Sequence, residues 1–274
     1  MSKRWGETFA RGVKGATLFQ KPWRRAATRL QVSLALKQRH WVETPRGRIQ
    51  FISPHPRALE YPRDFLAREP ETLAWIDAFT APGIFWDIGA NIGAYSLYAA
   101  LRPDIHVLAF EPGAASYAAL CENIGANERH DAIEAYCLAF NDRTTLATLN
   151  MGDANAGGFP NAFGSTRNAD GETVRTVARQ AAIGFSIDDF RATFSLPAPN
   201  YLKLDIDGIE DKVLAGGART LAEPALRGIM IEMTRDASKR NEGTEAALAK
   251  AGFRFLRWGV DSGLGALNAE YIRA

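Results

Sequence analysis

The chain reads as a doubly wound α/β domain whose mostly parallel sheet carries helices on both faces, and three observations support that expectation. Short apolar runs alternate with helical patterns from residue 71 onward, as parallel strands joined by crossover helices require. The apolar run Ile84-Phe85-Trp86 passes directly into DIGANIGAYS, from Asp87 to Ser96, a glycine-rich bend that ends a buried strand and opens a helix. A second buried run, Ile105 to Phe110, ends in Glu111-Pro112; an acidic side chain about 20 residues past the bend grips ribose hydroxyls in such folds.

Ahead of the sheet, residues 1–48 form a basic extension with 12 Lys or Arg against Glu7 and Glu43. The remainder has 21 basic and 29 acidic residues, so the net charge of +2 conceals two oppositely charged regions. Trp5, Phe9, Val13, Leu18, Trp23, Leu30, Leu34 and Trp41 interleave with the basic residues at partly helical spacing. An anionic lipid or glycolipid surface suits such an arm, and so does a cap that packs its tryptophans on the core. Nucleic acid would match the charge, but no recognised motif accompanies it. Residues 49–79, punctuated by Pro54, Pro56, Pro62 and Pro70, are expected to shape a substrate entrance, with a short strand at 49–52 and a helix at 71–79.

The domain proper, residues 80–274, then gives strand 84–88, helix 94–101, strand 105–110, helix 114–126, strand 133–139, strand 200–205, helix 209–222, strand 228–233 and helix 245–251. Residues 141–185 break the alternation. Their glycines and asparagines predict a long flexible insertion, either a lid over an acceptor or a disordered loop, with a short strand at 174–177.

The loop reads G-A-N-I-G and lacks the G-x-G-x-x-G seat for a pyrophosphate, which favours a nucleoside without phosphates, S-adenosylmethionine being the candidate. Asp87, Gly89, Asn91 and Gly93 would then lie at its amino-acid end and Glu111 at its ribose. Phe140 and Asn141 fall where adenine belongs, and Asp142 either accepts from the exocyclic amine or serves as a turn residue.

Beyond these residues, the sequence resembles the FkbM family of S-adenosylmethionine-dependent methyltransferases over roughly residues 80–274. The resemblance rests on DIGANIGAYSLYAA, VLAFEP, LCENIGAN (120–127), SIDDF (186–190), LKLDIDGIEDKVLAGG (202–217) and IMIEM (229–233), in that order and spacing. It implies a Rossmann-like class I methyltransferase fold with a seven-stranded sheet, closed by an antiparallel pair at 253–258 and 269–273, and O-methylation as the activity. Lys203-Leu204-Asp205-Ile206-Asp207-Gly208 stands for the family's K-I-D-V-E-G. Asp207 in place of glutamate keeps the charge with a shorter reach.

Methyl transfer to oxygen needs a hydroxyl held in line and relieved of its proton. Asp205 and Glu232 end adjacent strands and are expected side by side. Three readings follow: together they hold Mg²⁺; or Asp205 is the base, with Lys203 and Asp207 structural and Glu232 an anchor for backbone N–H groups; or Asp205 only orients the cofactor. Asp188 and Asp189 read as N-cap residues or acceptor contacts. Of the four histidines only His55, in the entrance region, is a candidate base. Cys121 and Cys137 lack metal or redox spacing and read as core thiols in a reducing, cytoplasmic setting, with the arm as a peripheral contact at the inner membrane face. The acceptor class implied is a sugar, glycolipid or polyketide-like alcohol. Nucleic-acid methylation and a catalytically silent binding protein are the rival readings.

Overall fold

A computed structural model of the chain describes residues 2–53, 55–80, 82–166, 173–206, 208–234, 238–260 and 266–274. Two compact units result, Met1–Arg39 and His40–Ala274, so residues 40–48, grouped with the extension in sequence, belong to the second unit. In the first, α1 (Ser2–Ala16) and α2 (Pro22–Ala35) are joined by a short turn, with Pro22 at the start of α2, where its missing N–H costs nothing.

A two-stranded ladder of β1 (Gln38–Thr44) and β2 (Gly47–Ser53) follows, the second unit starting within β1 at His40. A 3₁₀ turn at Pro56–Leu59 leads into α3 (Glu60–Arg68), kinked at Asp64, and α4 (Pro70–Asp77). The main sheet then opens with β3 (Gly83–Ile88), α5 (Ala94–Ala99), β4 (Ile105–Phe110), α6 (Ala114–Ala126) and β5 (Ile133–Tyr136). A second sheet intervenes, built from β6 (Ala139–Phe140), β7 (Thr145–Met151), β8 (Asn161–Phe163) and β9 (Ala178–Phe185). After α7 (Ile187–Phe194), the main sheet resumes with β10 (Tyr201–Leu204), α8 (Glu210–Ala215), α9 (Ala218–Leu221), β11 (Gly228–Thr234), α10 (Ser238–Lys250), β12 (Phe253–Trp258) and β13 (Ala266–Arg273).

Its strand order is β12-β13-β11-β10-β3-β4-β5, with β13 antiparallel to both neighbours and the other pairings parallel. This is the doubly wound sheet the sequence predicts, closing antiparallel pair included. The order reverses between β3 and β10, the switch point where ligands bind in open α/β sheets. Alternation along the strands divides the core in two: Phe85, Val107 and Tyr201 pack on one face, Trp86, Leu108 and Leu202 on the other.

Five expectations change. The strand expected at 133–139 stops at Tyr136, and Ala139–Phe140 joins the second sheet beside β9. The helix expected at 209–222 is two short helices, because Asp188 from α7 accepts from the N–H groups of Arg219 and Thr220 and so caps α9 as a separate helix. The insertion expected to be flexible carries a ladder: β7 pairs antiparallel with both β8 and β9. Residues 174–177 add no strand, and Gly171 and Asn168 lie outside the described residues. Cys121 is half-buried and Cys137 exposed, so neither is a core thiol.

Candidate active site

The bend after β3 is set by three left-handed residues, Gly89 (φ 88°), Asn91 (φ 51°) and Gly93 (φ 86°). A Cβ on Gly89 would lie 1.8 Å from the Asp205 carbonyl oxygen, and one on Gly93 would lie 2.4 Å from Leu120 Cδ1. Glycine is therefore demanded by conformation and by close approach at both positions. Gly89→Ala is expected to lower stability by about 1–3 kcal/mol or more through strain and clash; an unchanged denaturation midpoint would contradict this packing.

The loop's N–H groups turn toward β4. Gly89 and Ala90 donate to the Phe110 carbonyl at 2.9 and 3.0 Å. Asn91 N–H donates to Glu111 Oε2 at 3.0 Å, and Gly113 N–H donates to Glu111 Oε1 at 2.7 Å. Two charge-assisted bonds thus fix the Glu111 carboxylate at the carboxyl end of β4.

Register places Lys203 of β10 directly beside Asp87 of β3 on one face of the sheet. The Lys203 side chain is buried, its Nζ donating to Asp205 Oδ2 at 2.5 Å, 3.7 Å from Glu69 Oε2 and 5.0 Å from the Tyr95 ring centroid. Burial disfavours its charge, but the carboxylates of Asp205, Glu69 and Asp87 outweigh that and hold the ammonium well above the ordinary lysine value. Asp87 is only 1% exposed and accepts from Ser96 Oγ at 2.5 Å. Burial pushes its carboxyl up, against the opposing pull of Lys203 and the Ser96 hydroxyl.

A cavity of about 590 Å³ opens at these strand ends. Gly89, Asn91, Glu111, Phe140, Asp205 and Glu232 line it, and the Leu204–Ile231 pairing sets Asp205 beside Glu232. Four of the residues singled out in sequence do not reach it. Asp87 lies behind the loop, Gly93 begins α5, Asn141 gives its N–H to the Phe185 carbonyl, and Asp142 is exposed and pairs with Arg143. His55 Nδ1 accepts from Arg57 N–H and caps the 3₁₀ turn. Asp188 caps α9, Asp189 accepts from Thr144 Oγ1, and Ser186 is the cap of α7. Asp207 is outside the described residues.

Other walls escaped sequence reasoning. Tyr61, Arg68 and Glu69 come from α3 and its end, and Phe159 and Phe163 from the second sheet region. Only the burial of Lys203 inside a β-strand pattern signalled its importance. A lone lysine in an apolar run calls for a buried counterion.

The family model for the methyltransferase FkbM domain matches residues 87–255, more than half of the chain. The chain belongs to the FkbM methyltransferase family. Among solved structures, an FkbM methyltransferase from Methylobacillus flagellatus KT superposes with a TM-score of 0.47 at 15% identity, over 71% of this chain and 44% of that one. This chain thus spans under half of the Methylobacillus protein. Magnesium protoporphyrin IX methyltransferase from Synechocystis PCC 6803, solved with bound S-adenosylmethionine, gives 0.47 at 9% identity, covering 80% and 85%. Precorrin-6y C5,15-methyltransferase from Geobacter metallireducens GS-15 gives 0.45 at 11%, covering 75% and 87%. No curated protein matches significantly in sequence.

The residues of this FkbM methyltransferase fit a nucleoside cofactor at the switch point. Glu111 is anchored there, and the buried Asn91 Oδ1 has no partner among the described residues, as a site for a ligand's donor requires. They do not fit Mg²⁺, the first of the three readings of Asp205 and Glu232. Asp205 Oδ2 is already paired with the Lys203 ammonium, and among the described residues no three His, Cys, Asp or Glu side chains group to hold a metal ion.

Proposed function

We propose that the protein transfers a methyl group from S-adenosylmethionine to a hydroxyl of a sugar, glycolipid or polyketide-like small molecule. The observation that carries this reading is the placement of Asp205 at the end of β10, lining the same cavity as Glu111 and beside Glu232. When bound, the cofactor supplies an electrophilic methyl carbon. Glu111, held by the Asn91 and Gly113 N–H groups, would accept from the ribose hydroxyls, and Asn91 Oδ1 would accept from the cofactor's ammonium. Phe140 offers an apolar edge for the base.

Asp205 takes the acceptor's proton as the new carbon–oxygen bond forms. Its Oδ2 belongs to Lys203, so Oδ1 is the oxygen assigned to that proton. Lys203 fixes the carboxylate's orientation. Glu232 and the aromatic walls Phe159 and Phe163 hold the acceptor.

The charge of the cavity bears on the acceptor. Its described lining has six carboxylates, Asp64, Glu69, Glu71, Glu111, Asp205 and Glu232, against Arg68 and Lys203. An acidic cavity suits a cationic cofactor and a neutral polyol, and it repels a phosphate backbone; nucleic-acid methylation is disfavoured for that reason.

Transfer of a labelled methyl group to sugar, glycolipid and polyketide alcohols, read as a mass gain of one methylene, tests the proposal. Transfer to RNA or DNA alone would refute it, and no transfer to any acceptor would favour a silent binding protein. Asp205→Asn is expected to lower kcat by about 10²–10⁴-fold, with the deficit shrinking as pH rises and the acceptor ionises unaided. A deficit independent of pH would reassign Asp205 to orienting the cofactor.

A further inference from the structure

We propose that the Met1–Arg39 unit docks the protein on anionic lipid surfaces, lying in the interface with its apolar faces toward the acyl chains. At 100° per residue, Trp5, Phe9, Gly12, Val13 and Ala16 of α1 fall within one arc of about 100°, with Glu7, Arg11 and Lys14 opposite. In α2 the same construction places Trp23, Ala27, Leu30 and Leu34 on one stripe, with Arg25 and Arg29 away from it.

The helices meet through polar groups instead of these stripes. Arg29 donates from Nε to Thr17 Oγ1 and from Nη2 to the Lys14 carbonyl, both at 2.9 Å, and Arg25 Nη2 donates to the Leu18 carbonyl at 2.5 Å. The arginines of α2 thereby satisfy carbonyls at the end of α1, where positive charge also complements the helix dipole. The apolar side chains are left outside: Trp5 is 74% exposed, Phe19 84%, Trp23 65%, and Phe9, Leu18, Leu30 and Leu34 are each more than half exposed. So many exposed apolar side chains on so short a unit need a cover.

Charge selects that cover. Residues 1–39 hold ten Lys or Arg and one acid, Glu7. A second copy of the unit would match the apolar faces but oppose them with charge of the same sign. Nucleic acid would match the charge and its bases would stack on the exposed aromatics, but it offers nothing to Leu18, Leu30 and Leu34. An anionic bilayer does both, with headgroups for the basic residues and the acyl boundary for the aromatic and leucine side chains. No described helix is long and apolar enough to cross a membrane, and the contact proposed is interfacial.

The test is sedimentation of the full chain with equimolar phosphatidylcholine–phosphatidylglycerol vesicles, read together with tryptophan fluorescence. Binding that weakens with salt, a blue shift, and no binding to phosphatidylcholine alone are expected. Trp5→Ser combined with Trp23→Ser should lower partitioning by about a hundredfold or more, since both indoles leave water on binding. Arg11→Glu combined with Lys14→Glu should weaken the salt-sensitive part by about tenfold or more. These side chains are exposed, and circular dichroism checks that the helices persist. Failure to sediment with anionic vesicles, or unchanged sedimentation of the tryptophan variant, overturns the proposal. So does self-association or RNA binding in a protein that ignores vesicles. None of these readouts depends on methyl transfer.

Discussion

Lys203→Met is expected to destabilise the folded domain by about 3–5 kcal/mol at neutral pH, because removing one partner of a buried ionic cluster leaves the others uncompensated. Methionine matches the length of the stem, so the loss is electrostatic and little of it is packing. The stranded groups are the Asp87, Asp205 and Glu69 carboxylates. The sign of the pH dependence follows from Asp87, whose folded-state pKa is raised by burial even with the ammonium present; without Lys203 it rises further. A carboxylate with a raised folded pKa favours folding below its unfolded pKa, near 4, and disfavours it as pH climbs through the folded value. The variant should therefore approach the parent protein in acid and fall furthest behind at neutral pH. Thermal or urea unfolding across that range measures it. A deficit that stays constant with pH would mean that packing, not charge, is what Lys203 supplies.

Glu111→Ala is expected to weaken S-adenosylmethionine binding by about 2–3 kcal/mol, or roughly 30- to 150-fold, through loss of charge-assisted hydrogen bonds. Two effects combine. The ribose loses its acceptor, and the N–H groups of Asn91 and Gly113 lose theirs, which frees a loop residue held in the left-handed region. Glu111→Gln retains one carbonyl oxygen and should lie between the two proteins. Isothermal titration with S-adenosylmethionine checks the order, and equal affinity in all three proteins would remove Glu111 from the cofactor site.

Much of the fold was legible because parallel strands buried on both faces leave apolar runs that few other structures need. Ile105–Phe110 and Ala114–Ala126 fall on the residues expected. The second sheet was not legible. In Thr145–Met151 and Ala178–Phe185 alanine, threonine, glycine and asparagine dilute the period-two signal, and Leu146 faces solvent. Ladder pairing among distant segments, which no local pattern records, is what makes them strands.

By itself the sequence determined the order of the main sheet's elements, the glycine-rich bend, the acidic residue at the end of β4, the family and the basic arm, since each is written in local periodicity or spacing. Only the tertiary structure decided which of these residues meet. Apolar runs say that Asp87 and Lys203 lie within strands, but register between β3 and β10 makes them neighbours. That register turned Asp87 from an expected cofactor ligand into part of a buried charge cluster, whereas Asp205 meets the Lys203 ammonium through a local contact between residues two apart, which opposes the Mg²⁺ reading of Asp205 and Glu232. Strand ends gather residues separated by more than a hundred positions, and the energy of burying Lys203 depends on that gathering of Asp87 and Glu69 beside the local Asp205.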